Sequence, residues 1–277
     1  MSSLGIMQGR LVPPEPGRFQ AFPRRRWMDE FPLAAQVPLT YIEWIYDVYA
    51  ADVNPLTNDE ELPQALALIQ NTGVAVCSLC ADYFMDLPLL RCTVAQREKR
   101  EQFLHELLRS AKKMGIRRIV LPFVDASRIE SAEERDTVSR IVNNAVSTAR
   151  EAALELHLET ALQPAEFADL LERIPDGLVK VNYDSGNSSS LGYSFIEEFA
   201  AYGERIGSIH IKDRTRGGGT VPLGSGDTDF AALFKQLEKA GYRGDFTLQA
   251  ARAESGDELA WARRNRSFVT RLWPLGE

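Results

Sequence analysis

Short apolar runs rich in β-branched residues alternate along this chain with amphipathic stretches of helical period. Three segments, 65–79, 107–122 and 233–248, each contain a helical pattern, then a glycine, then an apolar run. These glycines (Gly73, Gly115 and Gly241) are predicted to end helices in the left-handed conformation. Eight apolar runs are predicted to be strands: 5–11, 40–47, 74–80, 117–124, 154–160, 177–184, 205–212 and 245–250. The clearest helical patterns between them are 94–114, 133–153 and 227–240, whereas the interval after the first strand has the weakest pattern.

A chain that alternates strands with helices forms βαβ units and therefore a parallel sheet. Eight such units within roughly 250 residues match the size of a (β/α)₈ TIM barrel. A doubly wound open sheet is the alternative, but no strand-to-helix turn carries a G-x-G-x-x-G or P-loop sequence. Because no shift in composition marks a boundary, we predict one barrel domain over residues 1–277.

Charge and cysteine content narrow the class of protein. A net charge of −7 and a pI of about 5.2 argue against a nucleic-acid partner, since phosphate contacts need a basic surface. The apolar runs fall well short of the roughly 20 residues of a membrane span, and the first residues lack a signal-peptide pattern. Three cysteines, an odd number, predict a reducing, cytoplasmic setting without a disulfide framework. Cys77 and Cys80 would lie on opposite faces of a strand, so zinc chelation there is not expected.

Alternate residues of a barrel strand point into the barrel, and reactive groups gather at the C-terminal ends of the strands. In the last four strands this alternation brings ligand-type side chains inward at successive strand ends: Glu159, Asp184, His210 and Gln249. Two carboxylates are costly to bury together, and a divalent cation would offset their charge. These ligands suit Mn²⁺, Mg²⁺ or Co²⁺ best, with Zn²⁺ as an alternative. The other interpretation is that they hydrogen-bond one another, as His157, one layer deeper, is expected to do.

Other polar and cationic side chains are expected at the same rim: Gln8, Arg10, Lys212, Arg214 and Arg252. Guanidinium and ammonium groups there would suit a phosphate or carboxylate of a substrate. The alternative is that they neutralise acidic residues around the rim. Asn187 is expected to be a turn residue that orders the loop after Asp184.

Several motifs together resemble the sugar phosphate isomerase/epimerase family, within the xylose-isomerase-like TIM-barrel superfamily. They are GIMQGRL, YIEWIYD, CADYFM, LHLET, NYDSGN, HIKDR, VPLGSGD and LQAAR. The resemblance implies a metal held by Glu159, Asp184, His210 and the residue at position 249. The family has glutamate at that last position, and in its epimerases the two glutamates exchange protons on opposite faces of the sugar. Because glutamine cannot exchange a proton in this way, the resemblance leaves Glu159 acting alone, or with another inward acid such as Glu43.

We therefore predict a metal-dependent isomerase or epimerase that moves a proton through an enediolate of a small carbohydrate, phosphorylated or not. A lyase similar to inosose dehydratase and a non-catalytic sugar-binding barrel are the alternatives. A relative of endonuclease IV would need more zinc-binding histidines and a basic DNA-binding face, which three histidines and a charge of −7 do not provide. Barrels of this superfamily often form homo-oligomers, but no segment identifies an interface.

Overall fold

The computed structural model describes residues 2–274, and eight parallel strands close into a barrel. Numbered in chain order, the barrel strands are β1 (Leu4–Met7), β2 (Tyr41–Ile45), β3 (Ala75–Cys80), β4 (Arg118–Phe123), β5 (Glu155–Thr160), β6 (Val179–Asp184), β7 (Ile206–Ile211) and β10 (Asp245–Leu248). A two-stranded antiparallel hairpin, β8 (Asp213–Arg214) and β9 (Thr220–Val221), follows β7. Around the barrel the order is β1-β10-β7-β6-β5-β4-β3-β2. The predicted (β/α)₈ barrel is confirmed.

Helices connect the strands. They are α1 (Glu30–Gln36), α2 (Leu62–Thr72), α3 (Tyr83–Asp86), α4 (Val94–Ala111), α5 (Ala132–Ala152), α6 (Pro164–Glu172), α7 (Ser185–Leu191), α8 (Phe195–Tyr202), α9 (Phe230–Lys239) and α10 (Glu258–Leu272). Gly73 follows α2 with φ of 71°, and Gly115 follows the 3₁₀ turn after α4 with φ of 79°, as predicted for left-handed helix ends. Within residues 2–274, none of the helices combines the length and the apolar character needed to cross a membrane.

The first strand is shorter than the predicted 5–11, because the chain turns after Met7. Gly9 adopts φ of 79°, a left-handed conformation that favours glycine. The buried carboxylate of Glu30 accepts the backbone N–H groups of Gly9 and Leu11 at 2.9 and 3.2 Å, which holds this turn in place. Arg10 therefore lies in the loop after β1 and not on an inward position of a strand.

The core has two parts, an apolar layer between strands and helices and a polar interior inside the barrel. Trp44 of β2 represents the first part: it is fully buried and packs against Phe22 and Trp27, with ring centroids 5.4 and 5.8 Å apart. Inside the barrel, His157, Ser208 and Thr247 are also buried. Their polar groups need internal partners, since buried polar groups without hydrogen bonds are costly.

The N-terminal end of the barrel is filled by the ring of Tyr41. Its hydroxyl donates to the carbonyl of Phe246 at 2.8 Å, and the ring passes directly over Gly5. A Cβ atom at position 5 would lie 2.4 Å from a ring carbon of Tyr41, closer than carbon atoms pack. Only glycine fits at this position without moving the tyrosine.

We expect Gly5→Ala to lower the free energy of unfolding by about 1–3 kcal/mol, because overpacking a rigid core forces side chains to shift. Urea unfolding of both proteins measures the difference. Gly177→Ala is the control: no atom lies within 4 Å of a Cβ there, and a change within about 0.5 kcal/mol is expected. Equal losses in the two variants would contradict the close contact at Gly5.

Candidate active site

Three ligand-type side chains meet at the C-terminal end of the barrel. Glu159 lies on β5, Asp184 is the last residue of β6 and His210 lies on β7. One ligand atom from each lies within 4.8 Å of the others, and all three residues are buried. His210 Nδ1 is 3.4 Å from Glu159 Oε2 and 4.0 Å from Asp184 Oδ2. The arrangement gathers two carboxylates around the same ring nitrogen.

The orientation of His210 is set by Glu43 of β2. His210 Nε2 lies 2.6 Å from Glu43 Oε1, and both side chains are fully buried. Ser78 donates to the other oxygen of Glu43 at 2.5 Å. Burial alone would lower the pKa of His210, but the carboxylates of Glu43 and Glu159 raise it to about 10. Burial would likewise raise the pKa of Glu43, but His210 and Ser78 lower it.

Nδ1 of His210 consequently points toward Glu159 and Asp184. Among the described residues it is one of the few buried side-chain atoms without a hydrogen-bond partner. Glu43 itself is fully buried, and it is not among the residues that line the cavity in the described part of the chain. The geometry gives no support to a direct proton exchange between Glu43 and a substrate, and supports a role in orienting His210.

Two asparagines hold the Glu159 carboxylate. Asn182 Nδ2 donates to Oε2 at 3.1 Å, and Asn187 Nδ2 donates to Oε1 at 2.7 Å. Asn187 lies in the first turn of α7, where its backbone N–H donates to Asp184 Oδ1 at 2.8 Å. Asn187 is therefore more than a residue that orders a turn, because its side chain contacts the candidate ligand and lines the cavity. The sequence signal for this position, a turn after Asp184, predicted the backbone contact but not the contact with Glu159.

Gln249 is held by a chain of polar contacts that begins at Arg10. Arg10 Nη2 and Gln249 Nε2 both donate to Gln20 Oε1, at 3.0 and 3.1 Å. Since arginine can only donate, the amide of Gln20 must present its oxygen to both groups. Gln249 therefore uses its nitrogen here, and its buried Oε1 has no hydrogen-bond partner among the described residues. Position 249 lies just after β10, one residue beyond the strand end.

A cavity of about 250 Å³ opens above these groups. Four residues near the candidate ligands line it: Glu159, Asn187, Lys212 and Gln249. The loop after β1 contributes three more: Arg18, Phe19 and Gln20. Further acids contribute to the wall, following β2, β3 and β4 in turn: Asp47, Asp82, Asp86 and Asp125. Burial raises the pKa of Asp82 to about 6.

The cations predicted at the rim occupy different environments. Lys212 lines the cavity, and its Nζ donates to Asp184 Oδ2 at 3.2 Å. Arg214 donates to Asn187 Oδ1 at 2.9 Å and to the Gly218 carbonyl. These contacts join the loop after β7 to the α7 residue that holds Glu159.

Arg10 and Arg252 hold the loop after β1. Arg10 donates to the carbonyls of Ala250 and Phe19, both at 3.2 Å. Arg252 donates to the carbonyls of Gly9, Val12 and Phe19. Neither guanidinium is among the cavity-lining groups of the described chain, so this geometry supports loop anchoring, and substrate binding by them stays a prediction.

The remaining predicted polar groups lie below the cavity. Gln8 is buried, and its Oε1 accepts the backbone N–H of Ile45 at 2.9 Å. His157 lies 2.7 Å from Ser208 Oγ through Nδ1 and 3.0 Å from Glu155 through Nε2. Both of its nitrogens have partners, which agrees with a core histidine deeper than the ligands.

The xylose isomerase-like TIM barrel family model matches residues 31–271, and the chain belongs to this family. L-ribulose-5-phosphate 3-epimerase UlaE of Escherichia coli (strain K12 / DH10B) is 26% identical over 257 residues, covering 88% of each chain. D-psicose 3-epimerase from Clostridium cellulolyticum H10 has a similar structure, with a TM-score of 0.76 and 14% identity over 98% of this chain and 99% of that one. The relatives bear out the predicted isomerase class of enzyme.

A further structural neighbour contains a metal. The IOLI protein, solved with a zinc atom, superimposes with a TM-score of 0.78 and 14% identity, covering 99% of this chain and 100% of that one. At this level of identity the likeness shows the shared fold. In the present chain, the group that could hold a metal ion consists of Glu159, Asp184 and His210.

We expect Glu43→Ala to lower the free energy of unfolding by about 3–5 kcal/mol, since it removes the closest ion-pair partner of the buried His210. Urea unfolding in the presence of a chelator measures the effect on the polypeptide alone. Asp59→Ala is the control, because its ion pair with Lys113 is exposed to solvent, and a loss below about 1 kcal/mol is expected. A small loss in Glu43→Ala would contradict the orienting role of the buried pair.

Proposed function

We propose that this protein is a divalent-metal-dependent epimerase of a small ketose. The observation that carries the proposal is the convergence of Glu159, Asp184 and His210 at the C-terminal end of the barrel, where Glu159 also lines the cavity. The similarity to 3-epimerases supports epimerisation over the aldose–ketose isomerisation that the motifs also allow. Substrate, metal dependence and mechanism are all part of this proposal.

The donor atoms fit a divalent cation. Nδ1 of His210 is buried and has no hydrogen-bond partner within residues 2–274, although carboxylate oxygens surround it. Gln249 offers a buried amide oxygen that is likewise unpartnered. Two carboxylates would balance the 2+ charge, and an imidazole with oxygen donors suits Mn²⁺, Mg²⁺, Co²⁺ or Zn²⁺. We assign the metal to Glu159, Asp184, His210 and Gln249.

When bound, such an ion supplies a Lewis acid that stabilises negative charge on substrate oxygen atoms. Glu159 then acts as the base that removes a proton from the carbon beside the carbonyl. Asn182 and Asn187 orient its carboxylate for this step. Lys212 lines the cavity and is positioned to donate to a hydroxyl of the sugar. Phe19 contributes an apolar ring to the lining of the cavity.

The charges around the cavity favour an unphosphorylated sugar. Five lining residues are acidic, whereas Arg18 and Lys212 are the cationic ones among the lining groups of the described chain. Lys212 already pairs with Asp184, and the Arg18 guanidinium stacks 4.3 Å above the Tyr49 ring. A phosphate would face the carboxylates of Asp47, Asp86 and Asp125, which form no salt bridge within residues 2–274, and this costs binding energy. The guanidinium groups of Arg10 and Arg252 are occupied by backbone carbonyls.

After dialysis against Mn²⁺, we expect the wild-type protein to retain a single ion per chain and Asp184→Ala to retain none. Loss of a carboxylate removes both a ligand and half of the charge balance. Metal analysis of the dialysed proteins by mass spectrometry gives the stoichiometry. Asp59→Ala is the control, because the Asp59 side chain is 80% exposed and is not among the cavity-lining residues of the described chain.

Titration of the metal-free proteins with Mn²⁺ tests the fourth ligand. Gln249→Glu is expected to tighten Mn²⁺ binding by about tenfold or more, because a further negative ligand raises the affinity for a hard cation. Retention of the ion in Asp184→Ala at the wild-type level would locate the metal elsewhere and overturn the assignment.

We expect kcat/KM for an unphosphorylated ketose to exceed that for its terminal phosphate by at least about tenfold, since like charges at a binding site cost about 1.4 kcal/mol or more. A panel containing D-psicose, L-ribulose and L-ribulose 5-phosphate measures the ratio. Asp125→Asn removes one acid from the cavity wall and should lower this ratio of kcat/KM values. A preference for the phosphate in the wild-type protein would contradict the electrostatic argument.

A further inference from the structure

Epimerisation at a carbon beside a carbonyl requires that a proton leave one face and another arrive on the opposite face. On the proposed function, Glu159 serves one face. The residue at position 249 lies on the same cavity, but an amide does not exchange a proton at neutral pH. The structure must therefore offer a different acid to the second face.

We infer that Asp82 is the second proton-exchanging group. Asp82 follows β3 directly and lines the same cavity as Glu159 and Gln249. Gln20 links it to position 249: Gln20 Nε2 donates to Asp82 Oδ2 at 2.8 Å, and Gln249 Nε2 donates to Gln20 Oε1 at 3.1 Å. A single residue, Gln20, therefore connects the carboxylate of Asp82 to the amide of Gln249, which cannot exchange a proton. This inference rests on the proposed function.

The contacts of Asp82 suit a group that changes protonation state. Cys80 Sγ lies 3.1 Å from Oδ1, and among the described residues no lysine, arginine or histidine forms a salt bridge with Asp82. Without a cationic partner, burial raises its pKa to about 6. Both the protonated and the ionised forms are then accessible near neutral pH, as acid–base catalysis requires.

The other acids of the cavity wall are less suitable. Asp47 accepts the backbone N–H groups of Phe22 and Ala50, both at 2.9 Å, which engages its two oxygens. Asp86 and Asp125 are exposed to solvent, whereas Asp82 is partly buried. Asp82 is the partly buried acid on the wall whose hydrogen bonds come from side chains.

The step balances in protons and electrons. The Glu159 carboxylate takes the proton from carbon, and the C–H electron pair moves into the enediolate. Protonated Asp82 then delivers its proton to the opposite face of the same carbon, where the electron pair returns to form the new C–H bond. Exchange with solvent restores the ionised Glu159 and the protonated Asp82. For the other epimer, the two residues exchange roles.

The test compares wild-type protein with Asp82→Asn in D₂O, starting from each of two 3-epimeric ketoses that the wild type interconverts. In the variant, we expect epimer formation to fall by at least about 100-fold, the usual contribution of an acid–base group. The epimer whose C3 proton faces Glu159 should still take up deuterium, because Glu159 can remove that proton and return a deuteron to the same face. The other epimer should take up none. NMR measures both quantities, and bound Mn²⁺ should remain at the wild-type level. Asp59→Asn, at an exposed site, is the matched control.

Each other outcome is decisive. Epimer formation by Asp82→Asn within about threefold of the wild-type rate would overturn the role of Asp82 and leave the proposed function standing. If Asp82→Asn retains the metal but neither epimer takes up deuterium, the role of Asp82 would also be overturned. A residue that serves one face of the carbon should stop uptake in one epimer only. A wild-type protein that neither epimerises nor exchanges any ketose of the panel would overturn the proposed function, and this inference with it.

Discussion

The buried contact between Glu43 and His210 is the interaction on which the site depends. Glu43 comes from β2 and His210 from β7, so the 2.6 Å contact between them spans the barrel interior and exists only when the barrel is closed. It occupies one nitrogen of the imidazole and leaves Nδ1 facing Glu159 and Asp184. Burying several charged groups together carries a large desolvation cost, which is offset only when each charge has a close partner. A cation at Nδ1 would complete that compensation.

A second network connects the substrate-facing loop to the same floor. Arg10 and Gln249 both donate hydrogen bonds to the Gln20 side-chain oxygen, and the Gln20 side-chain nitrogen donates to Asp82. A glutamate at position 249 would bring a negative charge toward the Gln20 oxygen that now accepts its hydrogen bond, so the glutamine belongs to the network that holds the loop. The amide at position 249 and the carboxylate of Asp82 are therefore parts of one hydrogen-bonded arrangement.

Much of the fold and the inward direction of three candidate ligands could be predicted because both follow from strand periodicity. Side chains alternate between two faces in every strand, so Glu159, Asp184 and His210 could be assigned to the interior before the structure was known. The same alternation placed His157, two residues before Glu159 on β5, one layer deeper in the barrel, where it contacts Ser208. The end of β1 was predicted too far along the chain, since the turn at Gly9 is held by Glu30, a residue from the following helix.

The sequence by itself determined the strand and helix order, the barrel class and which side chains face the interior, because these depend on local patterns of two and 3.6 residues. Only the tertiary structure decided the partners of those side chains. Arg10 and Arg252 bind backbone carbonyls, Asn187 holds Glu159, and Asp82 meets Gln20. Each of these contacts joins residues that are remote in the chain or lie on irregular loops, where no periodicity specifies direction. Closure of the barrel brings them together, and hydrogen-bond geometry then selects the partner.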